Sequence, residues 1–261
     1  MLHGLYHVLE RIERKAAYLR GKGFAGRTAE QEAGWIHDLL GFPPLLAIDI
    51  GANVGHYTAE LRRRTATAEI HAFEPASVNV ERLRARFAAD EAIVIVPAAL
   101  SNASGEATLF ANVPGSPLGS LTQRKLDHLG IAMDLQEAVS TLRFEDYWRD
   151  HLGKRPLDLV KLDVEGHELA VLEGFGEAIG HVKALQFEFG GCNIDTRTYF
   201  RDFWHFFSAW SFDLYRITPL GYEYIPEYRE ADEFFSLANF IAVRNTAAPT
   251  DGRKGAPARP R

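Results

Sequence analysis

The sequence predicts an α/β fold whose mostly parallel sheet is doubly wound by helices, on three grounds. Short apolar runs of strand length alternate with helical patterns through the middle of the chain. The first run ends in a glycine turn that opens directly into a helix. The C-terminal third then changes to turn-separated strands, as antiparallel additions do. The 261 residues fit one substantial domain, and 46% apolar with 25% charged residues is enough to bury a proper core.

Leu2, Leu5, Val8, Leu9 and Ile12 recur at helical spacing between Glu10, Arg11, Glu13 and Arg14, which predicts an amphipathic helix packed on the main domain. Its mixed charges lack the basic bias of helices that lie on membranes. A second helix over residues 30–40 is stopped by Gly41 and the Pro43-Pro44 pair, so residues 1–44 form a helical extension. Residues 45–50 are the first strand, and similar runs follow at 69–73, 92–96, 157–162 and 182–189, interleaved with helices at 78–87 and 168–175. Residues 105–111 add a small strand. Residues 212–217, 221–225 and 235–243 complete the main domain, 45–245, as antiparallel strands. Residues 246–261 are rich in Pro, Gly and basic residues with nothing to bury, and are expected to be disordered.

A net charge of −6 argues against a nucleic-acid surface, and the Arg62-Arg63-Arg64 triplet reads as a solvated helix face. Cys192 is the sole cysteine, so neither an intrachain disulfide nor a cysteine zinc cluster can form. The N-terminal stretch lacks the uninterrupted apolar run of a signal peptide or membrane span, which places the protein in the cytoplasm.

Asp49, Gly51, Asn53 and Gly55 fall in AIDIGANVGHYT, where strand gives way to helix within a few residues. Glycines there let the backbone approach a ligand, and the helix start presents free N–H groups. A dinucleotide fingerprint needs glycine at position 53, which weakens a nicotinamide-dependent oxidoreductase reading. Asp49 would repel a pyrophosphate but can hold an ammonium directly or through water, favouring a cationic, phosphate-free cofactor. Glu74, ending the second strand in HAFEP, is at the right distance to accept ribose hydroxyls, and Pro75 stiffens the turn. Leu100 and Ser101 follow the third strand, where they can border an adenine ring.

Through DIGANVGHYT, the FEP after the second strand, AALSNASGEATL and KLDVEGHELAVLEG, the chain resembles the FkbM family of methyltransferases from about residue 45 to residue 243. The resemblance implies a Rossmann-like class I methyltransferase fold, S-adenosylmethionine as donor and, usually, O-methylation of a hydroxyl on a natural product or saccharide. It also implies that the glycine loop and Glu74 hold the cofactor.

Asp163, Glu165, His167 and Glu168 crowd the end of the fourth strand in KLDVEGHE, at the sheet edge where α/β folds place ligands. Methyl transfer needs an aligned acceptor oxygen and a base, and Asp163, Glu165 and His167 are the candidates. His167 can instead be a surface or capping residue, and Glu168 serves the helix N-terminus. H-E-x-x-H fails because Val171 stands where a histidine is required. Asp163 and Glu188, with Asn193 or Asp195 nearby, offer hard oxygens for a divalent metal such as magnesium. Tyr199, Phe200, Phe203, Trp204, Phe206, Phe207 and Trp210 fall in one helix as core, acceptor-pocket lining or a homo-oligomer contact. The loop at 112–134, with two helical turns late in it, is a lid or an exposed insertion. A non-catalytic cofactor-binding scaffold is the remaining rival.

Overall fold

The computed structural model describes residues 2–24 and 29–245. The expected disordered tail, 246–261, lies outside them. In chain order the elements are α1 (Leu2–Leu19), α2 (Ala29–Leu40), β1 (Leu46–Ile50), α3 (His56–Arg64), β2 (Glu69–Phe73), α4 (Ser77–Arg86), β3 (Ile93–Val96), β4 (Ala99–Ser101), β5 (Gly105–Ala111), β6 (Leu135–Arg143) and α5 (Phe144–Asp150). They continue as β7 (Leu157–Leu162), α6 (Glu168–Gly174), β8 (Val182–Phe189), α7 (Cys192–Thr196), α8 (Phe200–Ala209), β9 (Phe212–Thr218), β10 (Gly221–Ile225) and β11 (Ala238–Arg244).

The main sheet runs β10-β9-β11-β8-β7-β1-β2-β3. The strands from β8 to β3 are parallel, and β11, β9 and β10 are antiparallel, as the sequence predicts. Successive residues of the central strands enter opposite cores: Ile48, Val160 and Leu185 face one, while Ala47, Leu159 and Ala184 face the other. Helices cover both faces, which is why these strands read as continuous apolar runs. From β1 the chain winds one way to β2 and β3, and from β7 the other way to β8. The switch point therefore falls between the C-terminal ends of β1 and β7, where a doubly wound sheet leaves its crevice.

Sequence patterning misses most of a second sheet, β4-β6-β5, of which only β5 was expected. β4 is three residues long, and the solvent-facing half of β6 gives a diluted alternation. Gly174 lets α6 sit on β4, since a Cβ there would lie 2.0 Å from the Ser101 carbonyl oxygen. Phe200, Phe203 and Phe207 of α8 are fully buried, and Phe187 stacks on Phe203 and Phe207 at 5.2 and 5.0 Å. Of the three uses open to this helix, core packing takes its buried face. Arg62, Arg63 and Arg64 pair with Asp90, Glu30 and Glu60, so the basic triplet is neutralised in place.

The expected packing of the first helix needs correction. Leu5, Val8, Leu9 and Ile12 are each half or more exposed. Among the described residues the end of α1 and the turn after it are tied to the main domain, by Tyr18 in the second core, by the Arg20–Glu223 pair at 2.7 Å, and by Gly21 against the Ile217 carbonyl. Among the described residues no helix is long and apolar enough to cross a membrane.

Candidate functional site

Two turns at the switch point build the site. In the turn after β1, Gly51, Asn53 and Gly55 all have left-handed backbones, with φ of 79°, 50° and 78°. At Gly51 a Cβ would lie 1.8 Å from the Asp163 carbonyl oxygen, so this position fixes how closely the two turns approach. Asn53 reaches the left-handed region because asparagine tolerates it. The loop thus keeps a left-handed backbone at position 53 without a glycine there. Glu74 locks the turn from β2. One carboxylate oxygen accepts the Asn53 N–H at 2.8 Å, and the other accepts the Ala76 N–H at 3.0 Å and the Asn79 amide at 3.4 Å. Burial raises the Glu74 pKa, and these N–H donors oppose it. A carboxylate has about four acceptor sites, so roughly one stays open toward a ligand.

Asp49 departs from expectation. It is fully buried, accepts the Thr58 hydroxyl at 2.5 Å, and lines neither cleft described below. Its other oxygen is buried without a hydrogen-bond partner and lies 4.0 Å from the Lys161 ammonium, so the carboxylate pairs inward from a fully buried strand.

In the turn after β7, Glu165 is left-handed at φ 54° and Gly166 follows at 103°. Glu168 holds this turn: one oxygen accepts the Val164 and Gly166 N–H groups, each at 3.1 Å, and the other is buried without a partner. Burial lifts its pKa to about 7. Asp163 accepts from the Lys161 ammonium at 3.0 Å. Burial works against that ammonium, but Asp163 and Asp49 prevail and raise its pKa. His167 lies 2.9 Å from the Ser101 hydroxyl, and burial lowers its pKa.

Between them these turns hold a pair of clefts apart. The first, of about 760 Å³, gathers Gly51, Asn53, Glu74, Pro75, Leu100, Asp163, Glu165 and His167, with Phe73, Ala98 and Ala99 as apolar wall. Of the remaining predicted cofactor residues, Gly55 lies behind the loop, packed on Leu83 and Phe87, and Ser101 stays outside the cleft, hydrogen-bonded to His167, which lines it. The second cleft, of about 840 Å³, is lined by Glu32, Tyr57, Lys161, Asp163, Glu165 and Glu188 among others. Gly51, Asn53, Pro117, Asp163 and Glu165 border both. The loop at 112–134 roofs the first cleft with Gly115, Ser116, Pro117 and Ser120, and carries a single 3-10 turn, Asp127–Leu129. It is latched: the Ser120 hydroxyl donates to the Glu165 carbonyl at 2.8 Å, and Arg124 pairs with the Glu165 carboxylate and, at 3.6 Å, with Asp195.

The Asp163–Glu188 metal pair is not the group that assembles. Asp163 is paired with Lys161, while Glu188 gathers with Glu165 and Cys192, their ligand atoms within 4.8 Å of one another. Burial and the neighbouring carboxylates drive the Cys192 thiol pKa up. Reading from sequence missed Glu32, Tyr57, Lys161 and Arg124. Lys161 carries a signal, a lysine inside a fully buried, mostly apolar strand, whereas the others owe their place to packing.

The FkbM methyltransferase domain matches residues 49–238. Methyltransferase sdnD of Sordaria araneosa is 32% identical over 155 residues, covering 50% of this chain, and the chain spans 60% of that relative's length. Methyltransferase 1 of Beauveria bassiana is 27% identical over 186 residues, covering 59% of this chain and 72% of the relative. Among solved structures, an O-methyltransferase from Bacillus cereus in complex with SAH is similar with a TM-score of 0.46 at 11% identity, covering 90% of this chain and 89% of that one. The magnesium protoporphyrin IX methyltransferase of Synechocystis PCC 6803 with bound SAM gives 0.44 at 14% identity, covering 83% and 78%.

Proposed function

The chain belongs to the FkbM methyltransferase family, and from that premise we propose that it methylates a hydroxyl of a natural product or saccharide with S-adenosylmethionine as donor. The observation that carries the reading is the wall shared by the two clefts, where Gly51, Asn53, Asp163 and Glu165 would face a cofactor on one side and an acceptor on the other.

The residues of the first cleft fit the donor. Phe73, Ala99 and Leu100 offer an apolar wall for a purine, the open acceptor site on Glu74 suits a ribose hydroxyl, and Asp163 suits an ammonium. Bound there, the donor supplies an electrophilic methyl group that an oxygen nucleophile attacks in line. Glu165 is the proton acceptor of choice because it borders both clefts. Burial and the neighbouring Asp163 carry its pKa to about 8, while Arg124 and Lys161 pull the other way. Lys161 holds the Asp163 carboxylate in position at the shared wall. His167, held on Ser101 in the first cleft, serves the cofactor side.

Calorimetric titration with S-adenosylhomocysteine is the first test, followed by a labelled-methyl screen over hydroxylated metabolites and saccharides, with magnesium and with a chelator. Binding and turnover are expected. Failure to bind S-adenosylhomocysteine, or tight binding of NAD in its place, overturns the reading; binding with no turnover on any acceptor leaves a scaffold.

A further inference from the structure

The second cleft holds more negative charge than its walls neutralise. Among the described residues, Glu32, Asp163, Glu165 and Glu188 line it with a single ammonium, Lys161, and with His56 on its exposed rim. Lys161 is committed to Asp163 at 3.0 Å and lies 4.0 Å from Asp49, outside the cleft. Arg124 takes Glu165 from the roof side. Among the described residues Glu32 accepts hydrogen bonds from neutral amides alone, Gln186 at 3.0 Å and Asn239 at 3.4 Å.

Glu188 is left over. It is 8% exposed and lines the cleft, and among the described residues its carboxylate has neither a hydrogen bond nor an ion pair. It stands two residues beyond Gln186 on the same face of β8 and directly opposite Asn239 in β11, so both amides that hold Glu32 also flank Glu188. The two carboxylates thus lie on one stretch of the cleft wall, bounded on one side by α2 of the N-terminal extension.

A carboxylate withdrawn from water without a partner is costly, and its natural complement is a donor that also brings positive charge. A neutral hydroxyl gives one donor and leaves the charge in place, whereas a protonated amine gives three donors and cancels it. Resting on the methyltransferase reading above, we propose that the second cleft is the acceptor site and selects an acceptor with a protonated amine beside its hydroxyl, an amino alcohol or amino sugar, whose ammonium is received by Glu188 and Glu32. Burial raises the Glu188 pKa and carries that of Glu32 to about 7, and an ammonium seated against them favours their ionised forms. Binding of the amine therefore releases protons.

The test uses the full chain saturated with S-adenosylhomocysteine and the matched probes trans-2-aminocyclohexanol and trans-cyclohexane-1,2-diol, titrated by calorimetry at neutral pH in two buffers of different ionisation heat. The aminocyclohexanol is expected to bind at least about tenfold tighter than the diol, the size of a charge-assisted hydrogen bond, and to release protons. Glu188→Gln should abolish the preference and Glu188→Asp retain most of it, with S-adenosylhomocysteine affinity unchanged in both as the check on folding. Equal affinities, binding of neither probe, or displacement of the amine by magnesium chloride overturns the inference while the methyltransferase reading stands. Loss of S-adenosylhomocysteine binding by the wild-type chain removes both.

Discussion

Replacing Glu74 by glutamine keeps its shape and removes its charge, and the consequence follows from counting donors. Three N–H groups converge on the carboxylate: Asn53 on one oxygen, and Ala76 and Asn79 on the other. A glutamine has one acceptor oxygen and one NH2 group, so in either flip a backbone N–H meets an N–H. Leaving a buried donor unmet costs about 1–3 kcal/mol, and losing a charge-assisted bond to a ribose hydroxyl costs the ligand about 1.5–3 kcal/mol, or roughly 10- to 150-fold in affinity. Calorimetric titration of Glu74→Gln with S-adenosylhomocysteine should show that weakening, and thermal unfolding should show a lower Tm than wild type. Glu74→Ala, which admits water to the two backbone donors, should lose as much affinity with a smaller loss of Tm. An affinity within about twofold of wild type in a folded Glu74→Gln protein would refute the assignment of Glu74 to the cofactor.

Gly51→Ala should abolish S-adenosylhomocysteine binding and lower the Tm, because its Cβ would sit 1.8 Å from a backbone oxygen that cannot swing away, beyond the ~1–2 kcal/mol cost of a left-handed alanine. Asn53→Gly, at a φ already positive, should bind normally; if it does not, the Asn53 side chain contributes more than its backbone. Glu168→Gln should stabilise the protein at pH 8 by about 1–3 kcal/mol and be nearly neutral at pH 5. The sign follows from a folded-state pKa lifted from 4.5 to about 7 by burial, so stability present below 4.5 is lost as pH rises through 7. Parallel denaturant titrations at the two pH values decide, and a variant less stable than wild type at pH 8 refutes it. Arg124→Ala should unlatch the roof, seen as faster amide hydrogen exchange across residues 112–134; unchanged protection would show that Ser120 and the bridge from Phe110 suffice.

The alternation of strand and helix, the antiparallel end of the sheet and the glycine turn were all legible because each is a local pattern. An apolar run bounded by turn residues can be buried in few ways, and Gly51 and Gly55 occupy backbone conformations that other residues resist. Glu74 and Asp163 were legible for a related reason: they sit at strand ends on the carboxyl edge of a parallel sheet, and topology alone carries them to the switch point. The α1 stripe and the aromatic helix show the limit. Their periodicity is equally clear, yet one stripe is left half exposed while the buried face of the other fills the core, since periodicity marks a face without naming what covers it.

The sequence by itself determined the scaffold, the glycine loop after the first strand and a carboxylate cluster beside it. Tertiary structure alone decided which carboxylates have partners. Asp49 turned inward to Thr58 and Lys161, Asp163 was neutralised by Lys161, Glu165 was latched by Arg124 from a loop some forty residues away, and among the described residues Glu188 kept no hydrogen-bond or ion-pair partner. The charge state of a buried acid depends on atoms within a few ångströms contributed by distant segments, and residue type and spacing along the chain do not encode that distance.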